Sequence, residues 1–566
     1  MVTSPQKIQN LGQRLRSALP ILQWAPQYQK QWLRLDFVAG LTLAAYAIPV
    51  SLAYASLAGL PGQAGLYCYL LGGVAYAAFG TSRQMAVGPT SAISILIGAS
   101  LGSMASGDTS RQIQLAMATA VLVAVISVLA WLFRAGNIIN FISETVLSGF
   151  KVGAGLVIIS TQLPKLFGLS TGGSNFFSRM LHLAQHLGQT NLPSLGVGAG
   201  ALALLILGEW LLPRRPVALF VVVLSIVFMS VIPMAGLGVK TIGSIPAGLP
   251  HLSWPLIAKN EVDDLLALAL GCFLLAYVEG ISVARTFALK HGYEIDADQE
   301  LLALGAANLA SGLGHGYPLA GGMSQSAVNE KGGAKTPLAL VFASLGVCAV
   351  LLFLTGLMKN LPDPVLAAVV FMAVKGLILP KELKQIRWVS KSEFRIAMVA
   401  MLGVLVLGIL HGVLIAAALS ILVLLRRGSR PRVLLLGRLP GSDSFVDVSR
   451  YPEHELVPGV LVFRIESGLF YFNVQNVKAE ILSQAGAYPG LKLVILDLST
   501  SANIDLAAGR MLRNLHRELG ARGANLKLAE VHGEVRDLLQ AEGLQEHIEG
   551  IEERVGVAAL VAPSIC

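Results

Sequence analysis

Long apolar runs separated by short polar breaks fill the chain up to about residue 430. An α-helix needs about 20 predominantly apolar residues to cross a bilayer, and each of these runs is long enough or nearly so. Examples are Phe37–Leu57, Val87–Leu101, Leu115–Phe133, Val217–Ile232, Leu338–Leu357 and Ile396–Leu425. The pattern therefore predicts a polytopic α-helical membrane protein over this part of the chain.

The pattern after residue 430 is that of a soluble α/β domain. Three stretches are typical of strands, namely GVLVFRIESGLFYFN, LKLVILDLS and ANLKLAEV, and two have helical periodicity, AAGRMLRNLHRELGARG and GEVRDLLQAEGL. Strands alternating with helices predict a small sheet covered by helices. We therefore predict a cytoplasmic N-terminal segment at residues 1–36, a transmembrane transport domain at 37–428, a linker at 429–455 and a cytoplasmic α/β domain at 456–566.

Composition and charge support this division. Only 13% of the residues are charged, whereas a soluble protein carries about a quarter. Residues 441–566 carry 11 lysines and arginines against 17 acidic residues, and residues 1–440 carry 31 against 16. Basic residues that cluster at span ends mark cytoplasmic flanks. The clusters are Lys7, Arg14, Arg16, Lys30 and Arg34 before the first span, and Arg426, Arg427, Arg430 and Arg432 after the last.

These flanks predict that both termini are cytoplasmic, that the number of spans is even, and that the protein lies in the cell inner (plasma) membrane. We expect no nucleic-acid partner, because no basic stripe lies on the soluble domain. The chain shows no motif for a metal site, an organic cofactor, a nucleotide loop or a catalytic triad. We therefore expect neither metal nor cofactor, and no enzymatic activity.

Two spans are interrupted in the same way. In RQMAVGPTSAISILIG and in GHGYPLAGGMSQSAVNE, an extended-looking segment meets a Gly or Pro break and then small and hydroxylated residues begin a helix. A helix that begins inside the membrane presents free N–H groups and the positive end of its dipole, which suits an anion. Interrupted spans in two halves of a chain point to a transporter binding site. The alternative is that the glycines only allow close helix packing.

Glu279 is the acidic residue that stands apart. It follows a long apolar run, whereas most acidic residues before residue 441 lie at span ends or in the charged loop HGYEIDADQE. Carboxylates inside spans are costly and usually functional. A headgroup-level pair with Arg285 is the alternative, although six residues of helix separate the two by about 9 Å.

Several motifs together resemble the sulfate permease (SulP) family of anion transporters. They are DFVAGLTLAAYAIPVSLAYASLAGLPGQAGLY, VGPTSA, SETVLSGFKVGAGLVIISTQLPKLFG and the long block from VEGISVARTFALKHGYE through GGMSQSAVNEKGGAKTPL. The C-terminal part, with VILDLSTSANIDLAAG, resembles a STAS domain. The resemblance covers nearly the whole chain, and the motifs follow one another in the family's order.

The resemblance implies fourteen transmembrane segments in two inverted repeats of seven, arranged as core and gate domains, followed by the STAS domain. It implies a homodimer that moves an anion by an elevator-like movement. The substrate site would use Thr90, Ser91 and Ala92 from one half-helix, Gly322, Met323 and Ser324 from the other, and the aromatic Tyr54. Glu279 matches an acidic position associated with proton or cation coupling.

Two departures from the family pattern matter. Many members have Ser-Arg where this chain has Ser324-Gln325, so a fixed positive charge beside the anion is missing. STAS domains often carry DSSG, whose serine can be phosphorylated, whereas this chain has DLAAG from Asp505 to Gly509. We therefore expect a plain helix N-cap at Asp505 rather than a phosphorylation switch. A scaffolding role with a cytoplasmic protein partner stays open for the domain.

The missing arginine leads to a hypothesis of cotransport. A carboxylate that loses its hydration and has no cation nearby takes up a proton readily. We therefore predict that Glu279 carries a proton, or that sodium takes its place. Sulfate is the first choice of substrate. The alternatives are a bicarbonate or C4-dicarboxylate transporter of the same fold, a channel-like chloride or nitrate conductor, and a membrane-tethered STAS regulator that transports nothing.

Overall fold

A computed structural model describes residues 19–136, 144–170, 172–173, 175–212, 216–232, 234–243, 245–258, 261–375, 378, 380–450, 455–552 and 554–562. The chain divides into two compact units, residues 1–420 and 421–566. Lys7, Arg14 and Arg16, which contribute to the predicted orientation, lie outside the described residues.

The first unit, here called the membrane unit, is built from helices. They are α1 Ile21–Trp24, α2 Trp32–Leu57, α3 Gly62–Phe79, α4 Ser91–Met104, α5 Thr109–Leu132, α6 Glu144–Leu166, α7 Phe176–His186, α8 Leu192–Leu211, α9 Val217–Val231, α10 Val262–His291, α11 Ala297–Leu313, α12 Met323–Lys331, α13 Leu338–Phe353, α14 Asp363–Val374, α15 Pro380–Val389, α16 Lys391–Leu407 and α17 Ile409–Ser429. Within the described residues, α2, α5, α6, α8 and α10 are each long and apolar enough to cross a membrane.

Small residues let these helices approach closely, as is common between membrane helices. A Cβ atom on Gly40 of α2 would lie 2.5 Å from the Ala339 carbonyl oxygen of α13. Gly149 of α6 sits still closer to α16, where its Cβ would lie 2.0 Å from the Ala397 carbonyl oxygen. Without bulky side chains at these positions, the helix pairs α2–α13 and α6–α16 pack backbone to backbone.

Asp36 ties the beginning of α2 to the beginning of α13. Its carboxylate is fully buried and accepts hydrogen bonds from the Lys335 N–H at 2.7 Å and from the Thr336 N–H and hydroxyl at 3.1 and 2.7 Å. The face of the membrane unit that contains Asp36 and Lys335 is called the near face below. Both α2 and α13 run away from it.

The second unit is an α/β fold with a five-stranded sheet, whose strands are numbered from β3 because β1 (Val87–Gly88) and β2 (Ala320–Gly321) belong to the membrane unit. Its elements are β3 Val433–Arg438, β4 Phe445–Asp447, β5 Val460–Ile465, α18 Val474–Ala487, β6 Leu493–Asp497, α19 Leu506–Gly520, β7 Asn525–Ala529, α20 Gly533–Ala541 and α21 Val557–Val561. The strand order in the sheet is β4-β3-β5-β6-β7. Strands β5, β6 and β7 are parallel, whereas β3 is antiparallel to both of its neighbours. Apolar side chains cover both faces of the sheet.

The sequence-based prediction of this unit is confirmed for β5, β6, β7, α19 and α20. The Asp505 side chain accepts a hydrogen bond from the Ala508 N–H at 3.0 Å, so the predicted helix N-cap is also confirmed. The stretch predicted as a linker, residues 429–455, instead supplies β3 and β4. Leu436 of β3 and Phe445 of β4 are buried in the core of the sheet, so the fold begins earlier than predicted.

Candidate functional site: two half-helices at the floor of a cavity

The two interrupted spans meet at a short antiparallel pair of strands. Strand β1 (Val87–Gly88) pairs with strand β2 (Ala320–Gly321), with Val87 opposite Gly321 and Gly88 opposite Ala320. Each strand is followed almost directly by a helix, α4 after β1 and α12 after β2. The predicted order of extended segment, break and helix start is therefore confirmed at both places. Two helix N-termini lie at one crossing point.

Glycines at the crossing leave no room for side chains. A Cβ on Gly88 would lie 2.5 Å from the ring of Tyr69, and a Cβ on Gly321 would lie 2.4 Å from the Met85 sulfur. The same Cβ on Gly321 would be 3.1 Å from the Cα of Gly280. Since α10 can approach β2 this closely at Gly280, its neighbour Glu279 is brought beside the crossing.

Polar side chains hold the extended segment before α4 against α12. The Ser326 hydroxyl accepts a hydrogen bond from the Ala86 N–H at 2.8 Å, and the Asn329 amide donates to the Gln84 carbonyl at 3.0 Å. The Gln325 amide donates to the Pro89 carbonyl at 2.7 Å. These bonds satisfy backbone groups that neither helix nor sheet can satisfy, which irregular backbone in a membrane requires.

The first N–H groups of both half-helices point to where the two elements meet. Neither Thr90 at the start of α4 nor Gly322 at the start of α12 caps its helix with a side chain. The initial N–H groups of a helix have no partner within the helix, so those of Ser91, Ala92, Met323 and Ser324 can serve a ligand. The N–H of Gly322 donates instead to the Ala86 carbonyl at 3.2 Å. Gly322 therefore shapes the site and does not offer the N–H predicted for it.

The buried oxygen atoms around the crossing that have no hydrogen-bond partner among the described residues include three beside the starts of the half-helices: Glu279 Oε2, Thr90 Oγ1 and Gln325 Oε1. Buried polar atoms are normally paired, and an orphan costs about 1–3 kcal/mol. Two of the three, on Glu279 and Gln325, are acceptors that no anion can satisfy. They require a positive partner, such as a proton on the carboxylate or a bound cation. The arrangement thus offers N–H donors to an anion and free acceptors to a positive partner.

Glu279 has a cation nearby, contrary to the premise of the sequence analysis. Its carboxylate lies near the Thr90 hydroxyl, without forming a hydrogen bond to it, and interacts electrostatically with Lys151 of α6. Lys151 lies in an apolar motif of α6, and nothing in the sequence around it indicates a partner. The predicted alternative partner, Arg285, is not the cation with which Glu279 interacts.

Tyr54 of α2 lies beside the start of α4, and its role in binding a substrate stays a prediction. Its side chain is 6% exposed, its hydroxyl interacts with Ser91, and Tyr46 and Glu279 are within electrostatic range. Tyr46, two helical turns nearer the near face, interacts with the Ser324 side chain. Residues Thr90, Ser91, Ala92 and Gln325 are buried, whereas Met323 and Ser324 are exposed.

A cavity of about 700 Å³ leads from the near face to the start of α12. One wall is α2, which contributes a residue at every helical turn, and the opposite wall is α12, which runs antiparallel to it. The lining residues of these two walls are Val38, Thr42, Tyr46 and Val50 of α2, and Ser324, Ala327, Val328 and Lys331 of α12. Because Lys331 lies at the mouth and Ser324 at the floor, the N-terminus of α12 is accessible from the near face.

Glu300 is a second buried carboxylate of the membrane unit, and in the sequence it belongs to the charged stretch HGYEIDADQE. It is 3% exposed, in the first turn of α11. It accepts hydrogen bonds from the Tyr76 hydroxyl at 2.8 Å, the Thr81 N–H at 2.8 Å and the Ser82 N–H at 3.2 Å. Every donor comes from the end of α3 or the segment after it. Glu300 therefore fastens these elements together, and no sequence signal revealed its partners.

Comparison with known proteins decides the family. A model described as the sulfate permease family matches residues 33–400, and a STAS domain model matches residues 451–558. The chain belongs to the sulfate permease family. A probable sulfate transporter of Mycobacterium tuberculosis (strain CDC 1551 / Oshkosh) is 36% identical over 533 residues, which cover 93% of this chain and 95% of the relative. The family resemblance and the predicted fold class, a multi-pass helical membrane protein with a C-terminal STAS domain, are thereby confirmed.

Solved structures extend this sulfate permease assignment to the fold of the whole chain. Murine Solute Carrier 26 family member A9, an anion transporter solved in the inward-facing state, has a TM-score of 0.90 and 23% identity, and the match covers 100% of this chain and 96% of that one. The transmembrane domain of a cyanobacterial bicarbonate transporter, BicA, has a TM-score of 0.61 and 22% identity, and the match covers 70% and 98%. The family consists of transporters rather than enzymes. The number of fourteen spans stays a prediction.

Proposed function

We propose that the protein is a secondary active transporter of an inorganic anion, with sulfate as its substrate and protons as the coupling ion. The observation that carries the proposal is the pair of uncapped half-helices beside Glu279. Together they offer N–H donors for an anion and, in Glu279 and Gln325, acceptors without partners. A site with both properties suits an anion that travels with a positive charge.

The expected substrate residues are Ser91 and Ala92 of α4 and Met323 and Ser324 of α12, with their backbone N–H groups facing the anion. Thr90 and Gln325 border the site, and Tyr54 closes it from α2 through its interaction with Ser91. Backbone N–H groups recognise negative charge and size rather than chemical identity. Sulfate is therefore proposed on the names of relatives such as the mycobacterial protein.

The proposed movement is that of an elevator. The half-helices, α3, α10 and α11 form one connected body through the crossing and Glu300, and this body would carry the anion past α6, α8 and α14. The cavity to the near face corresponds to a state open on that side, and the basic flanks make this side cytoplasmic. We propose that the protein works in the plasma membrane as a homodimer and that its STAS domain binds a cytoplasmic protein.

The test is uptake of labelled sulfate, bicarbonate and succinate by the full-length protein in proteoliposomes, with imposed proton or sodium gradients. We expect sulfate to accumulate when the proton concentration is higher outside than inside, and little accumulation under a sodium gradient alone. Accumulation driven by a sodium gradient would show that sodium, rather than the proton, is the coupling ion. If no anion moved under any gradient, the regulator alternative would replace transport.

Bicarbonate is the second candidate substrate. The membrane unit is similar in fold to the bicarbonate transporter BicA, and a planar monoanion needs fewer donors than sulfate. In the same experiment, saturable bicarbonate uptake that sulfate does not inhibit would favour this candidate. Inhibition of bicarbonate uptake by micromolar sulfate would favour sulfate.

A further inference from the structure

Lys151 is a half-buried lysine in the interior of α6. Within the described part of the chain it makes no hydrogen bond and no ion pair within 4 Å, and its one electrostatic partner is Glu279 of α10. A lysine in a membrane helix is costly unless it pairs or faces a cavity. Its position therefore needs a reason other than helix packing.

The packing of α6 shows which way Lys151 faces. Gly149 and Gly153, two residues to either side, lie against α16, where their Cβ atoms would meet Ala397 and Met401 at 2.0 and 2.8 Å. Two residues turn a helix by about 200°, so Lys151 lies on the opposite side of α6 from α16. The neighbours of α6 also include α4, whose N-terminus is half of the candidate site. Lys151 is thus directed to the site from outside the body that contains Glu279.

In the empty site, the negative charge of Glu279 is balanced only when Lys151 is included. Gln325 is neutral, Tyr46 and Tyr54 of α2 and Thr90 of α4 contribute hydroxyl groups, and Glu279 contributes a carboxylate. In the described residues, Lys151 is the positively charged group that interacts with Glu279. Without it, a divalent anion would meet a carboxylate with only the helix N-termini to attract it.

We infer that Lys151 supplies, from α6, the positive charge that the half-helix lacks at Gln325, and that it alternates between Glu279 in the empty site and the anion in the loaded site. This inference rests on the proposed anion transport. It assigns a specificity-determining residue that lies on a different element from the half-helices. Lys151 is the counter-charge both for the Glu279 carboxylate and for the bound anion.

A coupling of anion and proton follows from this alternation. When the anion arrives, the lysine charge is drawn to it, and Glu279 is left as a carboxylate beside a negative substrate. A neighbouring negative charge and the loss of a cation both favour the neutral form of a carboxyl group. Glu279 therefore takes up a proton from the cavity, and the orphaned Oε2 carries it. The anion and the proton bind together because one lysine cannot neutralise both the anion and the Glu279 carboxylate.

The experiment measures KM for labelled sulfate in proteoliposomes of the full-length protein across a series of pH values. Wild type is compared with Lys151→Met, Lys151→Arg and the double variant Lys151→Met/Gln325→Arg. We expect Lys151→Met to raise KM by about tenfold or more, because one charge–charge interaction is lost. We also expect its uptake to depend much less on pH. Lys151→Arg should stay near wild type, and the double variant should recover most of the affinity.

Lys165→Met is the matched control. Lys165 is also half-buried on α6, about four turns beyond Lys151 and away from Glu279. Its ammonium donates to the Ser56 hydroxyl at 2.9 Å. Its removal should leave the pH profile of uptake unchanged, whatever it does to the rate. Size-exclusion profiles and thermal unfolding of each variant check that the fold is intact. If Lys151→Met does not fold, Lys151→Gln takes its place in the comparison.

The outcomes separate this inference from the proposed function. If wild type moves no anion, the proposed function fails and the inference with it. If wild type transports sulfate with protons while Lys151→Met keeps both KM and the pH profile, only the inference is overturned. A shift of KM with an unchanged pH profile would also overturn it, because the alternation with Glu279 would then be absent.

Discussion

Glu300 and Glu279 are two carboxylates buried in the same membrane unit, and the fold treats them in opposite ways. Glu300 accepts hydrogen bonds from Tyr76, Thr81 and Ser82. Glu279 has an oxygen without any partner in the described residues and a lysine within electrostatic range. Buried carboxylates are costly in both cases, so the difference lies in what compensates the cost.

Buried carboxylates that fix the fold differ from those that can bind a proton or a ligand in how many of their oxygen atoms have hydrogen-bond partners. A carboxylate whose acceptors are all satisfied by its own chain has no capacity left for a ligand, and it fixes the elements that surround it. A carboxylate with an unsatisfied oxygen and a distant counter-charge remains able to take up a proton. We therefore expect substitutions at Glu300 to act on stability and substitutions at Glu279 to act on coupling.

The largest effect on the folded protein is expected for Glu300→Gln. The new amide group keeps one oxygen for the Thr81 and Ser82 N–H groups, but it loses the charge that strengthens these hydrogen bonds. Its NH2 group faces the Tyr76 hydroxyl, which can then no longer donate to it. We expect the free energy of unfolding to fall by about 2–4 kcal/mol, or no folded protein to be obtained. Thermal unfolding and the yield in detergent measure this. Tyr76→Phe removes a single donor and should cost about 1 kcal/mol. An unchanged unfolding temperature for Glu300→Gln would contradict the architectural role.

Glu279→Gln should show the reverse behaviour. The substitution removes the charge at a place where no hydrogen bond depends on it, so we expect an unfolding temperature close to that of wild type. Proton-driven accumulation of sulfate should be lost, and any remaining uptake should be independent of pH. Uptake that kept the wild-type pH and sodium dependence would show that Glu279 does not carry the coupling ion.

Gln325→Arg should have a moderate effect. The arginine adds a positive charge beside the anion and gives up the hydrogen bond to the Pro89 carbonyl. We expect KM for sulfate to fall by roughly threefold to tenfold and the dependence of uptake on protons to weaken. Gln325→Leu loses the same hydrogen bond without adding charge and is the control. If Gln325→Arg changed neither affinity nor cation dependence, the electrostatic account of the site would be wrong.

The sequence was informative where the chemistry is local. The breaks before Ser91 and Met323 are visible as Gly, Pro and hydroxylated residues inside apolar runs, and the N-cap at Asp505 lies within one short motif. The sequence was uninformative where partners come from distant elements. Lys151 and Glu279 are on α6 and α10, and the donors to Glu300 follow α3, so no spacing connects them. Strand β3 was missed because it directly follows an arginine cluster that resembles a linker.

The smallest effect is expected for a third carboxylate, at a partly exposed position. Glu261 precedes α10 and accepts hydrogen bonds from Arg111 and from the Ala258 N–H. The Arg111 hydrogen bond, followed by that of Ala258, lowers the pKa of Glu261 below 4.5. A carboxyl group with a lowered pKa in the folded state stabilises the fold above its unfolded pKa, and the stabilisation is lost as the pH falls through the folded pKa.

Arg111→Met should therefore lower the unfolding temperature slightly at neutral pH, by less than Tyr76→Phe does. The difference from wild type should shrink as the pH is lowered through 4.5 and below. Thermal unfolding at several pH values measures it. A difference that grew toward acid pH would have the wrong sign for this ion pair.

The most direct test of the central claim is the position of a bound anion. Selenate has the shape and charge of sulfate, and selenium scatters anomalously, so crystals of the full-length protein grown with selenate locate it without ambiguity. We predict one strong anomalous peak between the N-termini of α4 and α12, within hydrogen-bonding distance of the Ala92 and Ser324 N–H groups. A crystal whose only selenate lay elsewhere, with these N–H groups free, would contradict the account.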